Sequence, residues 1–304
     1  MIKFSEITVS LGTNEEGNAE LEKKFGWEKG KISSKTGINR RFISKPNETS
    51  ETLALKAVSA LEKKLAINDI DCIISTTNTQ TNIFPALAYH ILLDKKFKKN
   101  IQCFGLNVGC TGFVDALSIA YSGIASKLYK KVLIVTSDTY SKFIREEDQS
   151  TRPLFSDGAT ATLVEYDKNG YQLQNHVCNS VPNTLHHLCM MKDETLSSFI
   201  QMNGPNILTF AIGNVLPAIK NLISEDEDYT FYPHQAGKLV LDTFEKKLPE
   251  NISIKKNYAE FGNLVSGSIP NLIIHSCPDL NLQQNIIFSG FGVGLAHSSL
   301  IFKK

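Results

Sequence analysis

A chain of 304 residues, 42% hydrophobic and 21% charged, can bury a sizeable core as one large domain or as two closely packed halves. A formal net charge of +1 gives no electrostatic reason to expect nucleic acid or a general attraction to membrane surfaces, and no stretch of about 18 apolar residues predicts a membrane span. Six cysteines without a regular framework, behind a start (Met1-Ile-Lys-Phe-Ser-Glu6) that lacks an apolar targeting core, predict a soluble protein in a reducing cytoplasm.

In chain order, Asp71–Thr77 predicts a short buried strand, followed by a helical stretch around Phe84–Lys95. Ile101–Val108 predicts a strand and Cys110–Lys127 a helix, on which Phe113, Ala116, Leu117, Ala120, Tyr121 and Ile124 recur at helical spacing. Lys131–Ser137 is a further buried strand, followed by a polar loop through Thr151. Gly158–Tyr166 and Tyr171–Cys178 are expected as neighbouring strands around the turn Asp167-Lys-Asn-Gly170. Beyond them come a helix from Pro205 to about Ile223 and a strand at Tyr229–Tyr232. Helices follow near Gln235–Lys247 and Gly267–Ser276, and strands at Asn285–Ser289 and Leu295–Phe302 close the chain. Strand–helix alternation predicts an α/β fold of helix-covered sheets rather than a sandwich or a bundle.

Cys110 lies at the strand-to-helix junction, in Ile101-Gln-Cys-Phe-Gly-Leu-Asn-Val-Gly-Cys-Thr-Gly-Phe113. A helix N-terminus offers unpaired N–H groups that favour a thiolate and the oxyanion formed when it attacks. Gly109 and Gly112 would let a bulky substrate approach the backbone, as in a strand–nucleophile–helix elbow with sulfur replacing serine. Alone, such a cysteine could equally be a small core residue. Three later segments add to it: Phe231-Tyr-Pro-His-Gln-Ala-Gly237 with His234, Glu260-Phe-Gly-Asn-Leu-Val-Ser-Gly-Ser-Ile-Pro270 with Asn263, and the glycine-rich turn Phe288-Ser-Gly-Phe-Gly-Val-Gly-Leu295.

Cysteine in Gly-Cys-Thr-Gly-Phe, histidine in Pro-His-Gln-Ala and asparagine in Gly-Asn-x-x-x-x-Ser-Ile-Pro, in that order, resemble the ketoacyl-acyl-carrier-protein synthase III family of thiolase-like condensing enzymes. Thr36-Gly-Ile38 with Arg40-Arg41, Phe84-Pro85, Ser137-Asp138, Asp157-Gly-Ala159 and Met202-Asn-Gly204 extend the resemblance along essentially the whole chain. It implies a five-layer α-β-α-β-α fold from two similar halves, residues 1–166 and 167–304, an active site between them, and a homodimer. It further implies acyl transfer to Cys110 and decarboxylative condensation with a malonyl thioester, with His234 and Asn263 donating to the enolate oxygen and the backbones of Cys110 and Gly294 forming the oxyanion hole. No cofactor or metal is implied, only acyl-coenzyme A or acyl-carrier-protein thioesters as substrates and acyl carrier protein as partner. A same-fold acyltransferase, passing the acyl group from Cys110 to an oxygen or nitrogen acceptor, is the alternative, and a silent paralogue a third class. The Cys110–His234–Asn263 set speaks against the last, and Asn263 mildly against the second.

Departures from the family pattern fall on the substrate path. Lys31 and Lys35 stand where the family often has a tryptophan stacking on adenine and an arginine beside the threonine, and Trp27 lies four residues before Lys31. Gln149 replaces another usual arginine, with Arg152 three residues on, and Gly237-Lys238 replaces Asn-Leu. Lysine neither stacks like an indole nor grips phosphate with a bidentate fork. A primer delivered on a carrier protein, or on coenzyme A held differently, is therefore expected, with Lys35, Arg152 and Lys238 as the substrate contacts and Lys238, Lys246 and Lys247 as a docking patch for an acidic carrier. Phe84 is expected to floor the acyl pocket across the dimer, or else to be a core aromatic. His176, Cys178, His186, His187 and Cys189 match no zinc spacing, and Lys95, Lys96, Lys98 and Lys99 are expected as a solvated helix end.

Overall fold

The computed structural model describes residues 1–97, 100–192 and 197–304. Lys98 and Lys99, expected at a helix end, lie outside the described residues. Two five-stranded mixed sheets form the framework. In the first, Ile2–Leu11, Gly158–Tyr166, Lys131–Asp138, Cys72–Thr76 and Gln102–Leu106 lie in that order. The second places Gln172–Ser180, Ala296–Lys303, Asn285–Gly292, Tyr229–Pro233 and Ile252–Ile254 in the same sequence of neighbours. In both, the first three strands pair antiparallel and the remaining contacts are parallel. The halves thus share one topology. The change of sheet falls between Tyr166 and Gln172.

Cys72–Thr76 and Lys131–Asp138 are covered on both faces, which is why they read as continuous apolar runs without alternation. Between the sheets lie the helices Gly112–Ala125 and Ser268–Ser276. Their Phe113, Leu117, Ile269 and Leu272 pack with Ile74 and Ile134 of one sheet and Phe288 and Phe302 of the other. Phe288 meets four other rings of this central core, those of Phe4, Phe113, Tyr232 and Phe302; truncating it to alanine would cost about 3–5 kcal/mol. The helices Ser50–Glu62 and Leu87–Asp94 cover the outer face of the first sheet. The outer face of the second carries Lys238–Lys247 and a long helix of three joined segments, Gly204–Phe210, a π turn at Ala211–Val215, and Leu216–Leu222. The layers are therefore α-β-α-β-α.

One expected neighbour pair is not formed. Gly158–Tyr166 and Gln172–Ser180 do not make a hairpin but belong to different sheets. The turn at Asp167–Gly170 closes locally, yet Gly170 lies against the backbone of Ile2, where a Cβ would fall 2.2 Å from the Ile2 oxygen, and the chain crosses there into the second half. Two further elements carried no marked signal: the Ile2–Leu11 strand, and the Ser50–Glu62 helix, which Thr49 opens with a reciprocal capping box to Thr52. Among the described residues no helix is long and apolar enough to cross a membrane.

Candidate active site

The functional side chains gather where the parallel strands of both sheets end, the usual opening of an α/β sheet. Gln102–Leu106 leads into a single 3-10 turn, Gly109–Thr111, and then the central helix Gly112–Ala125. Cys110 is the middle residue of that turn and is buried. Gly109 has φ +60°, and a Cβ there would stand 2.4 Å from Val293 Cγ2, so both conformation and space require glycine. Gly292 lets its strand approach the sulfur: a Cβ on it would lie 3.2 Å from Cys110 Sγ.

The thiol is not the ready thiolate expected from its position. Burial pushes its pKa up to about 12, the negative field of Asp138 adds to this, and the N–H groups of Val293 and Cys110 oppose it without prevailing. The amide beside the sulfur is that of Val293, not of Gly294. The carbonyl of Gly294 accepts from Thr184 Oγ1 at 2.6 Å. For a second backbone donor the structure thus offers the Val293 N–H, one residue before the expected Gly294.

His234 follows the Tyr229–Pro233 strand, its backbone N–H donating to the Ser289 carbonyl at 2.8 Å. The ring stands edge-on to Phe291, and burial lowers its pKa to about 3, so the imidazole is neutral across the physiological range. The neighbouring Gln235 is fully buried and holds the loop beneath, accepting from the Asn257 N–H at 2.8 Å and the Tyr258 N–H at 3.2 Å. Asn263 is tied to the other half of the chain: its N–H donates to the Leu154 carbonyl and its carbonyl accepts from Ser156, both at 2.9 Å. Asn263 Oδ1 accepts from the Val265 N–H at 2.8 Å, which leaves Nδ2 facing His234 Nε2 at 3.3 Å. Two neutral side-chain nitrogens thus converge.

The turn after Asn263 is pinned across the halves. Ser266 Oγ donates to Asp138 Oδ2 at 2.6 Å, and Asp138 Oδ1 accepts from the Asn78 N–H at 2.8 Å. Asp138 is buried at the end of its strand, and desolvation raises its pKa to about 7. The family-like Ser-Asp pair gave no hint that this carboxylate braces the Asn263 loop. The Val265–Gly267 turn packs on the Gly109–Thr111 turn, and Val265 shares an apolar cluster with Cys110, Tyr140, Phe155, Leu188 and Ile200. Cys110, His234 and Asn263 therefore meet around one buried centre.

The expected substrate contacts are more scattered. Lys35 and Lys31 both lie over the Trp27 ring, at 4.8 and 5.0 Å from its centroid, so the one indole of the region is already faced by two ammonium groups. Arg152 does not stand free. It pairs bidentately with Glu16, at 2.6 and 3.0 Å, and Glu16 also takes the guanidinium of fully buried Arg41 at 3.0 Å. Lys238 packs against Gly37 and pairs with Asp242 at 2.5 Å, while Lys246 and Lys247 are exposed. Phe84 is 83% exposed and Ile83 93%, which excludes a core role for Phe84 within its own chain. A cavity of about 590 Å³ beside Glu16 and Arg152 is lined by charged groups and touches none of Cys110, His234 and Asn263. A smaller one of about 320 Å³, bordered by Tyr140, Leu188 and Val293, adjoins the cysteine cluster.

Comparison with known proteins matches this geometry to one family. Residues 104–182 fit the family described as 3-oxoacyl-[acyl-carrier-protein (ACP)] synthase III, and residues 220–304 fit its C-terminal part. The beta-ketoacyl-[acyl-carrier-protein] synthase III of Streptococcus pneumoniae (strain Hungary19A-6) is 33% identical over 292 residues, covering 89% of each chain. The solved 3-oxoacyl-[acyl-carrier-protein] synthase III of Aquifex aeolicus VF5 superposes with a TM-score of 0.89 at 26% identity over the whole of both chains. That of Pseudomonas aeruginosa PAO1 does so with a TM-score of 0.88 at 26% identity, over 99% of this chain and 98% of its own. The two-half thiolase-like fold, the collinear matches and the single buried centre agree, and the chain belongs to the 3-oxoacyl-[acyl-carrier-protein] synthase III family of condensing enzymes.

Proposed function

We propose that the protein takes an acyl group from a thioester onto Cys110 and condenses it with a malonyl thioester carried on acyl carrier protein. The observation that carries this reading is the convergence of Asn263 Nδ2 and His234 Nε2, 3.3 Å apart, beside a buried cysteine. In the first step Sγ bonds the thioester carbonyl carbon, and the backbone N–H groups of Cys110 and Val293 hold the oxyanion. The carbon–sulfur bond to the donor then breaks, and its thiolate leaves with the proton given up by Cys110. In the second step the malonyl thioester oxygen accepts from His234 and Asn263, carbon dioxide departs, and the enolate carbon attacks the acyl-cysteine. The new carbon–carbon bond forms as Sγ leaves, giving a 3-ketoacyl thioester. His234 suits this role because it is neutral: a charged imidazolium is not needed to donate from Nε2–H. The reaction is thus an acyl transfer coupled to decarboxylation, and it calls for no metal or cofactor.

The entrance favours a carrier-bound primer over tightly held coenzyme A, since Trp27 is faced by Lys31 and Lys35 and Arg152 is engaged by Glu16. Lys238, Lys246 and Lys247 lie on one helix at this side and suit an acidic carrier. A homodimer accords with the free outer edge of the Gln102–Leu106 strand and the exposed Ile83 and Phe84; a partner's Phe84 would then close the acyl cavity. The test is intact-protein mass spectrometry of Cys110 acylation across acyl-carrier and acyl-coenzyme A donors, followed by carbon dioxide release from malonyl-carrier protein. Acylation without carbon dioxide release would mean transfer to an oxygen or nitrogen acceptor instead. Tight calorimetric binding of acetyl-coenzyme A would overturn the preference for a carrier-bound primer.

A further inference from the structure

The cavity that adjoins the apolar cluster of Cys110 is not lined as a hydrocarbon slot. On one side stand Leu188, Met190 and Ile200. On the other, Tyr140 Oη donates to Asn78 Oδ1 at 2.9 Å, and Asn78 Nδ2 donates to Asn107 Oδ1. Tyr140 is 3% exposed and belongs to the same apolar cluster as the cysteine. Asn78 is held from behind through its backbone by Asp138, and its Oδ1 lies against Gly109, the residue before the nucleophile. The relay has a direction. Because the tyrosine gives its only hydrogen to Asn78, the hydrogens left over are the second one on Asn78 Nδ2 and those on Asn107 Nδ2. The groups this wall has to spare are therefore N–H donors, together with the acceptor lone pair of the tyrosine oxygen.

We infer that the primer is an acyl chain longer than acetyl that carries an oxygen substituent, a hydroxyl or oxo group, bound by the amides of Asn78 and Asn107. This rests on the reading of Cys110 as the acylated nucleophile. Size agrees: an apolar cavity of about 150 Å³ accepts a benzene-sized guest, and this one has about 320 Å³. Chemistry agrees as well. An unsubstituted chain filling the cavity would strip water from the half-buried amide of Asn78 and leave its spare N–H unpaired, whereas a substituent oxygen pairs with it; Asn107 is exposed and adds a second donor at the rim. Sites built around hydrogen bonds discriminate more strongly than apolar ones for this reason.

The test is the rate of Cys110 acylation, followed by intact mass, from carrier-protein thioesters of acetate, hexanoate, 3-hydroxyhexanoate and 5-hydroxyhexanoate. One of the hydroxylated chains is expected to react at least about tenfold faster than hexanoate. In Asn78→Leu that ratio should fall toward one, and in Tyr140→Phe it should fall part of the way, because Asn78 loses the hydroxyl that orients it. Hexanoate reacting as fast as both hydroxylated chains, or a ratio unmoved by Asn78→Leu, overturns the inference while leaving the condensing reading in place. Failure of all four donors, with Cys110 still alkylated by iodoacetamide, overturns both.

Discussion

The two halves of the molecule solve one backbone problem twice and use the answer differently. In each, the edge parallel strand (Gln102–Leu106 or Ile252–Ile254) leads to a 3-10 turn and a central helix, directly through a loop in the first half and by way of the short helix Tyr258–Phe261 in the second. The first residue of the turn has positive φ in both, +60° at Gly109 and +53° at Val265. In the first half the turn carries the nucleophile. In the second the residue two positions before Val265 is Asn263, and the neighbouring parallel strand is followed directly by His234. Pseudo-symmetry places the two turns against each other, so the proposed nucleophile of one half faces the proposed donor pair of the other. Division of labour between halves becomes a division between half-reactions.

The largest effects should follow that division. Cys110→Ala is expected to abolish acylation and condensation together, by about a thousandfold or more, since no other group supplies the covalent step. His234→Ala and Asn263→Ala should each lower carbon dioxide release by about 10²–10³-fold, the usual result of losing one donor to a developing anion. Acylation of Cys110 should survive both within about tenfold, because the oxyanion donors proposed for it are backbone groups of Cys110 and Val293. A His234 variant that cannot be acylated would instead make the imidazole part of the first step and erase the division.

A second contrast separates what position promises from what burial imposes. A cysteine at a helix start ought to be acidic, yet the Cys110 pKa is pushed up to about 12 because desolvation outweighs the N–H groups. Iodoacetamide alkylation of Cys110 should therefore rise about tenfold per pH unit from pH 7 to 10, in proportion to the thiolate present. Asp138→Asn, by removing a nearby negative charge, should speed alkylation at any one pH in this range. A plateau below pH 9 would show a thiol already ionised by its turn.

How far the sequence discloses all this follows the same line between backbone and field. The elbow at Cys110 was legible because a buried strand, a glycine pair and a helical repeat adjoin one another in the chain. His234 and Asn263 were legible only through their local motifs, since the contact between them joins residues 29 positions apart. Electrostatic consequences were not legible. Nothing local to Arg152 says that Glu16 holds it, because the pair is separated by 136 positions and formed by folding. The misplaced hairpin has the same origin. Asp167–Gly170 has the chemistry of a tight turn, but the strands on either side of it find better partners in separate sheets.

The surface of the second half should show a smaller, screened effect. Lys238→Glu, Lys246→Glu and Lys247→Glu together are expected to lower turnover with a carrier-bound substrate by about tenfold at low salt, while reaction with a small synthetic thioester changes little. The difference should shrink as ionic strength rises and the Debye length falls to about 8 Å at 0.15 M. Asp242 tempers the expectation at Lys238, since it already pairs with that ammonium group and with Lys256 at 3.2 Å. Equal loss with both substrates would place docking elsewhere.

The smallest effect is the most direct probe of the duplicated turn. Valine is a poor choice at φ +53°, where a β-branched L-residue costs roughly 1–2 kcal/mol relative to the right-handed region. It is retained because its side chain is buried in the Cys110 cluster, a burial that contributes about 1.5–3 kcal/mol. Gly109 meets the same conformation without strain but has no room for a side chain, since Val293 fills it. Val265→Ala keeps the strain and loses most of the packing, so it should destabilise by about 1–2 kcal/mol. Val265→Gly loses slightly more packing but removes the strain, and should be at least as stable as the alanine variant, the reverse of the order found in helices and strands. Chemical denaturation of both variants decides it. If glycine is the less stable by more than about 1 kcal/mol, the positive φ at Val265 carries no strain and the two turns are alike in shape only.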